Sequence, residues 1–177
     1  LFVMKISQMH VFQLVIGSGP QVTYQIPGSL VGQIIAQEPE QNAQQIKPDG
    51  LILAYPVITS GEFAHRGSFD DLLGEARSAD PAWLAKMSLE KQDIKDMPPV
   101  FMWHTSYDNA VPLQNSLFLA TALINAKKPL EYHIFPGDVH GMSLADWRTR
   151  SEERVEDTPA TAWIGLAHTW LENWKKH

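Results

Sequence analysis

Runs of apolar residues closed by turn residues alternate along this chain with stretches whose apolar positions recur every three or four residues. Val11 to Gly17 is a short apolar run, interrupted by Gln13 and ending on glycine, and predicts a strand that enters a tight turn. Gly50 to Ile58 is apolar throughout and bounded by Pro48-Asp49 and Thr59-Ser60-Gly61, the pattern of a strand covered on both faces in a parallel sheet. Pro98-Pro99 introduces a third run, Val100 to Trp103, and Leu130 to Phe135 is a fourth, closed by Pro136-Gly137. Between them, Leu113, Leu117, Ala120, Ile124 and Ala126 recur at helical spacing behind Pro112. Near the end Trp163, Leu166, Ala167, Trp170, Leu171 and Trp174 do the same, with Thr158 as N-cap and Pro159 at the first helical position, so this helix must bury a face.

The remaining stretches are less regular. Val22 to Ala36 fits a helix or a strand, because Pro27-Gly28 interrupts it, and residues 37–48 are polar and read as a loop or a short exposed helix. Residues 59–97 carry short helical patterns at Phe69 to Leu73 and Pro81 to Ala85, and are expected to form a cap-like insertion between strands. The order predicts one α/β domain over residues 1–177, with a mainly parallel sheet of about four strands flanked by helices.

At 177 residues, 44% hydrophobic and 19% charged, the chain has ordinary globular composition. A net charge of -6, with no basic cluster beyond Lys175-Lys176, argues against nucleic acid or an anionic membrane as partner, since phosphate binding needs concentrated basic charge. The absence of cysteine removes disulfides, zinc-thiolate sites and cysteine nucleophiles together. No apolar run approaches the roughly 20 residues of a membrane span, and the start Leu1-Phe2-Val3-Met4-Lys5 lacks the pattern of a leader, which leaves the cytoplasm as the default compartment. A first residue other than methionine points to an excerpt of a longer chain.

Two of the predicted strands end on candidate chemistry. Asp108 follows the third strand and His140 the fourth, in Asp138-Val139-His140-Gly141. Loops at the carboxyl ends of parallel strands gather residues distant in sequence, so the two side chains can meet. A histidine in a glycine-flanked loop, oriented by a carboxylate, is the acid-base part of a serine-hydrolase triad. The plain alternative makes Asp108 a cap of the turn before Pro112 and His140 a surface loop residue.

The segments Ile46 to Ile58, Pro98 to Pro112 and His133 to Ser143 closely resemble the C-terminal half of α/β-hydrolase esterases, the group that contains acetyl esterases and acetyl-xylan-esterase-like enzymes. The resemblance covers residues 45–177 and implies a partial α/β-hydrolase fold. It makes Asp108 the catalytic acid and His140 the catalytic base, and implies a small ester, such as acetylated carbohydrate, as substrate. Triad hydrolysis needs only water, so no cofactor is implied.

The nucleophile departs from that pattern. If the first strand ends at His10-Val11-Phe12, the G-x-S-x-G turn expected after it reads Gln13-Leu14-Val15-Ile16-Gly17, with valine in the serine's place. A shifted register offers Ser18 in Gly17-Ser18-Gly19 as the candidate nucleophile, and Ser29 as a weaker one. The poor fit of residues 13–30 between better flanks is what a compensated frameshift would leave. The family's early strands and the loop that completes its oxyanion hole would precede residue 1. Four strands cut from a larger sheet would expose an edge at the Val11 strand and favour self-association.

Other chemistries fit less well. Gly17-Ser18-Gly19 lacks the third glycine of a dinucleotide-binding turn, since that position is Val22. His65, His104, His133 and His140 show no metal-binding spacing, and His104 and His133 are expected to be partly buried strand-end residues. Trp103, Trp163, Trp170 and Trp174 are expected in the core. Two function classes remain: a serine carboxylic-ester hydrolase, or a catalytically inactive fragment acting through assembly.

Overall fold

The computed structural model describes residues 12–16, 49–149 and 158–174. Among these residues the sheet has four strands in the order β1-β2-β3-β4: β1 (Phe12–Ile16), β2 (Gly50–Ala54), β3 (Val100–Thr105) and β4 (Leu130–Phe135). β2, β3 and β4 run parallel, with Leu51 beside Val100 and Val100 beside Leu130, as expected of strands joined through helices. β1 runs antiparallel to β2, with Phe12 opposite Ala54 and Ile16 opposite Gly50.

Alternation along the strands divides the core in two. Ile52, Ala54, Phe101 and Trp103 pack on one side against Trp163 and Ala167 of helix α4 (Trp163–Trp174). Leu51, Leu53, Val100 and Met102 pack on the other side against Leu119, Ala120 and Leu123 of helix α3 (Gln114–Asn125). Trp103 is fully buried and stacks on Trp163 with centroids 5.5 Å apart, which places both tryptophans in the core as their spacing predicts. The Trp174 side chain lies outside the described residues.

The segment between β2 and β3, expected to be a cap-like insertion, folds as helix α1 (Arg66–Ser78), kinked at Gly74, and helix α2 (Pro81–Met87). Asp80 caps α2 by accepting the Ala82 N–H at 2.8 Å, with Pro81 at the first helical position. Phe69 of α1 and Met87 of α2 pack on Val57 and Val111, so this segment is anchored near the carboxyl ends of the strands. Asn115 ties it down further: its Oδ1 accepts the Ile58 and Thr59 N–H groups at 2.9 and 3.0 Å, and its Nδ2 donates to the Phe63 carbonyl at 2.8 Å. No helix among the described residues is long and apolar enough to cross a membrane.

Three local expectations need correction. β2 stops at Ala54 because Tyr55 adopts φ 41°, which ends the extended run before Ile58. On α3 the inward face is Asn115, Ser116, Leu119, Ala120 and Leu123, while Leu117 and Ile124 are exposed, since two polar contacts draw Asn115 and Ser116 inward. Thr158 precedes α4 through a 3-10 turn (Pro159–Ala162), and its side chain makes no capping bond.

Candidate active site

The loops after β3 and β4 are joined by backbone hydrogen bonds. Ser106, Tyr107 and Asn109 N–H donate to the carbonyls of Phe135, Gly137 and Asp138 at 2.8, 2.8 and 3.0 Å. Two adjacent parallel strands therefore deliver their following loops to one place, and Asp108 and His140 meet there. Gly141 has φ 69°, a conformation that glycine adopts without strain and that turns the chain immediately after His140. The loop beyond is pinned at Ser143, whose N–H donates to the Tyr55 hydroxyl at 3.0 Å and whose carbonyl accepts Trp163 Nε1–H at 3.1 Å.

Asp108 Oδ2 accepts His140 Nδ1–H at 2.7 Å, with the carboxylate fully buried and the imidazole 15% exposed. Its Oδ1 accepts the N–H groups of Ala110 and Val111 at 2.9 and 2.8 Å. One side chain therefore makes both sets of contacts: Oδ1 caps the turn and Oδ2 binds the histidine. Burial pushes the Asp108 carboxyl up, but hydrogen bonds from His104 and His140, the charge of His140 and the Ala110 N–H outweigh it. The carboxyl is held well below the usual carboxylate range. An ionised, immobilised acid beside one nitrogen of a partly exposed imidazole leaves the other nitrogen for proton transfer.

Two neighbours of this pair were not placed beside it by the sequence. His104, expected to be partly buried, is completely buried, with Nε2 3.3 Å from Asp108 Oδ2. Its signal was a histidine within an apolar strand, four positions before the acid. Tyr55 packs its ring against His140 at 4.8 Å. His65 and His133 lie apart from the pair, hydrogen-bonded to Ser68 and Glu131.

Ser18 and Ser29 lie outside the described residues. Ile16, two positions before Ser18, sits beside Gly50 at the amino-terminal end of β2, whereas Asp108 and His140 follow the carboxyl-terminal ends of β3 and β4. A parallel first strand would have ended on the same side as the pair.

Over residues 76–159 the chain matches the prolyl oligopeptidase family. It is 44% identical over 100 residues to endo-1,4-beta-xylanase B of Butyrivibrio fibrisolvens, a match covering 56% of this chain and 15% of that protein. Among solved structures it is similar to an acetyl ester-xyloside bifunctional hydrolase from Caldicellulosiruptor lactoaceticus, at 33% identity and a TM-score of 0.66, covering 84% of this chain and 53% of that one. It is also similar to a sugar hydrolase from Lactococcus lactis, at 29% identity and a TM-score of 0.64, covering 84% and 55%. The chain thus spans about half the length of these two structures.

Proposed function

We infer, from a chain that carries a partial α/β-hydrolase fold of the esterase type, that its chemistry is carboxylic-ester hydrolysis through Asp108 and His140. The observation that carries this reading is the 2.7 Å bond between Asp108 Oδ2 and His140 Nδ1 at the ends of adjacent parallel strands. With its proton held on Nδ1, His140 takes the proton of a serine hydroxyl on Nε2 as the serine oxygen bonds to the ester carbonyl carbon. The bond to the alcohol then breaks, and His140 returns the proton to the departing oxygen. Water, deprotonated by the same nitrogen, attacks the acyl-serine; the acyl–serine bond breaks, Nε2 returns the proton to the serine oxygen, and the carboxylic acid leaves.

Small acyl esters, acetylated carbohydrate in particular, are the proposed substrates. The names of the acetyl ester-xyloside hydrolase, the sugar hydrolase and the xylanase support this class. Ser18 is the candidate nucleophile. In this reading α1 and α2 cap the site.

A second reading, an inactive fragment that acts through assembly, is favoured by one observation: the antiparallel pairing of β1 directs its carboxyl end away from His140. Treatment with a fluorophosphonate, followed by mass spectrometry of the digested chain, separates the two. Phosphonylation of a serine that is lost in His140→Ala supports hydrolysis and identifies the nucleophile. No labelled serine in either protein favours the inactive reading.

A further inference from the structure

We propose that His104 is a positioning residue for the Asp108–His140 pair, a second N–H donor to Asp108 Oδ2 whose own proton is fixed on Nε2 by the Ser116 and Tyr132 hydroxyls. The role assigned to His104 rests on the reading of Asp108 and His140 as the acid-base pair.

A fully buried imidazole needs partners for both nitrogens. His104 Nε2 lies 2.9 Å from the Val111 carbonyl and 3.3 Å from Asp108 Oδ2. A carbonyl and an ionised carboxylate only accept, so Nε2 carries the proton and shares it between them. Nδ1 is then an acceptor, and its partner at 2.7 Å is Ser116 Oγ. The Leu113 carbonyl, at 3.1 Å from Ser116 Oγ, has a weaker claim on that hydroxyl proton and already takes the Leu117 N–H. Ser116 Oγ in turn accepts from the Tyr132 hydroxyl at 2.7 Å. Burial pushes the Tyr132 phenol up to about 12 against the opposing bond with Ser116, which keeps it a donor at neutral pH. Every proton in the series, from Tyr132 to Ser116 to His104, points toward Asp108.

The consequence falls on the carboxylate. Its four acceptor positions are filled by Ala110 and Val111 N–H on Oδ1 and by His140 and His104 on Oδ2. Val111 closes the arrangement, because its N–H binds Asp108 while its carbonyl binds His104. Asp108 therefore cannot rotate away from His140 without giving up backbone bonds. His104 also draws part of the Oδ2 charge that would otherwise concentrate on His140. A histidine that only filled the core would have neither effect.

Long-range 15N–1H correlation spectra of the whole chain at neutral pH, read through the ring carbon-bound protons, test the proposal without any measurement of hydrolysis. His104 is expected with Nε2 protonated and Nδ1 accepting. His104→Phe is expected to shift the His140 Nδ1 resonance toward a stronger hydrogen bond, and His104→Gln, which keeps an N–H donor, to move it back toward wild type. A proton on Nδ1 of His104, or a His140 Nδ1 resonance unchanged in both variants, overturns the proposal. The wild-type spectrum decides the tautomer even where His104→Phe does not fold. Absence of ester hydrolysis would sink the proposed function and leave this readout standing.

Discussion

The Tyr55 ring stands edge-on to the His140 imidazole, with centroids 4.8 Å apart and planes at 67°. Tyr55 holds a left-handed φ of 41°, which costs a bulky residue about 1–3 kcal/mol and persists only where surrounding contacts enforce it. Those contacts are the edge of Trp103 at 5.0 Å, the His140 ring and the Ser143 N–H. Tyr55→Phe keeps both ring contacts and loses the Ser143 bond, so it should cost about 1 kcal/mol in urea denaturation. Tyr55→Ala should cost about 3–5 kcal/mol, as for other large buried aromatics.

Asp108 links the pair to pH. Its folded carboxyl is held below the unfolded value of about 3.9, so the stabilisation is complete above about pH 4 and is lost as pH falls toward the folded value. Asp108→Asn should lower stability at pH 7 by about 1.5–3 kcal/mol, the worth of hydrogen bonds to a charged group. The same variant should lose stability less steeply than wild type below about pH 4, which acid titration of the unfolding free energy would register. Parallel acid limbs in the two proteins would contradict the assignment.

Asn115 is expected to be structural, although it lies on the helix that follows the Asp108 loop. Asn115→Ala strands the N–H groups of Ile58 and Thr59 and should destabilise the chain by about 1–3 kcal/mol per buried unsatisfied group. Thermal or urea unfolding measures the loss. Little change would mean that water enters to replace the amide.

Among the described residues strand β1 lies at an edge of the sheet, and an edge left open offers unpaired backbone groups to another chain. Light scattering behind size exclusion should show concentration-dependent association. Leu14→Lys on that strand should reduce it. A monomer at all concentrations would remove the assembly route.

The parts of the fold that could be read in advance are those that composition alone specifies. β2 and β3 are apolar runs whose burial on both faces leaves them no other place, and the tryptophan spacing of α4 admits one buried side. The convergence of Asp108 and His140 was legible because both close adjacent parallel strands. The direction of β1 was not, since a short apolar strand pairs either way and nothing in its pattern records which. His104 was underread because hydropathy treats a histidine as a break in an apolar strand. Here three polar partners, Val111, Ser116 and Asp108, make it compatible with complete burial. Tyr55 was invisible for a related reason: a positive φ in a non-glycine residue follows from its tertiary contacts.

Hydrolysis of a small chromogenic acetate ester by the purified chain, beside His140→Ala and Ser18→Ala, tests the central claim most directly. The account predicts turnover above the buffer rate that falls by about 100-fold or more in His140→Ala, in line with loss of a general base. A comparable fall in Ser18→Ala would identify the nucleophile. Equal background rates from all three proteins would contradict ester hydrolysis by this chain and leave Asp108 and His140 as a pair that is formed but not used.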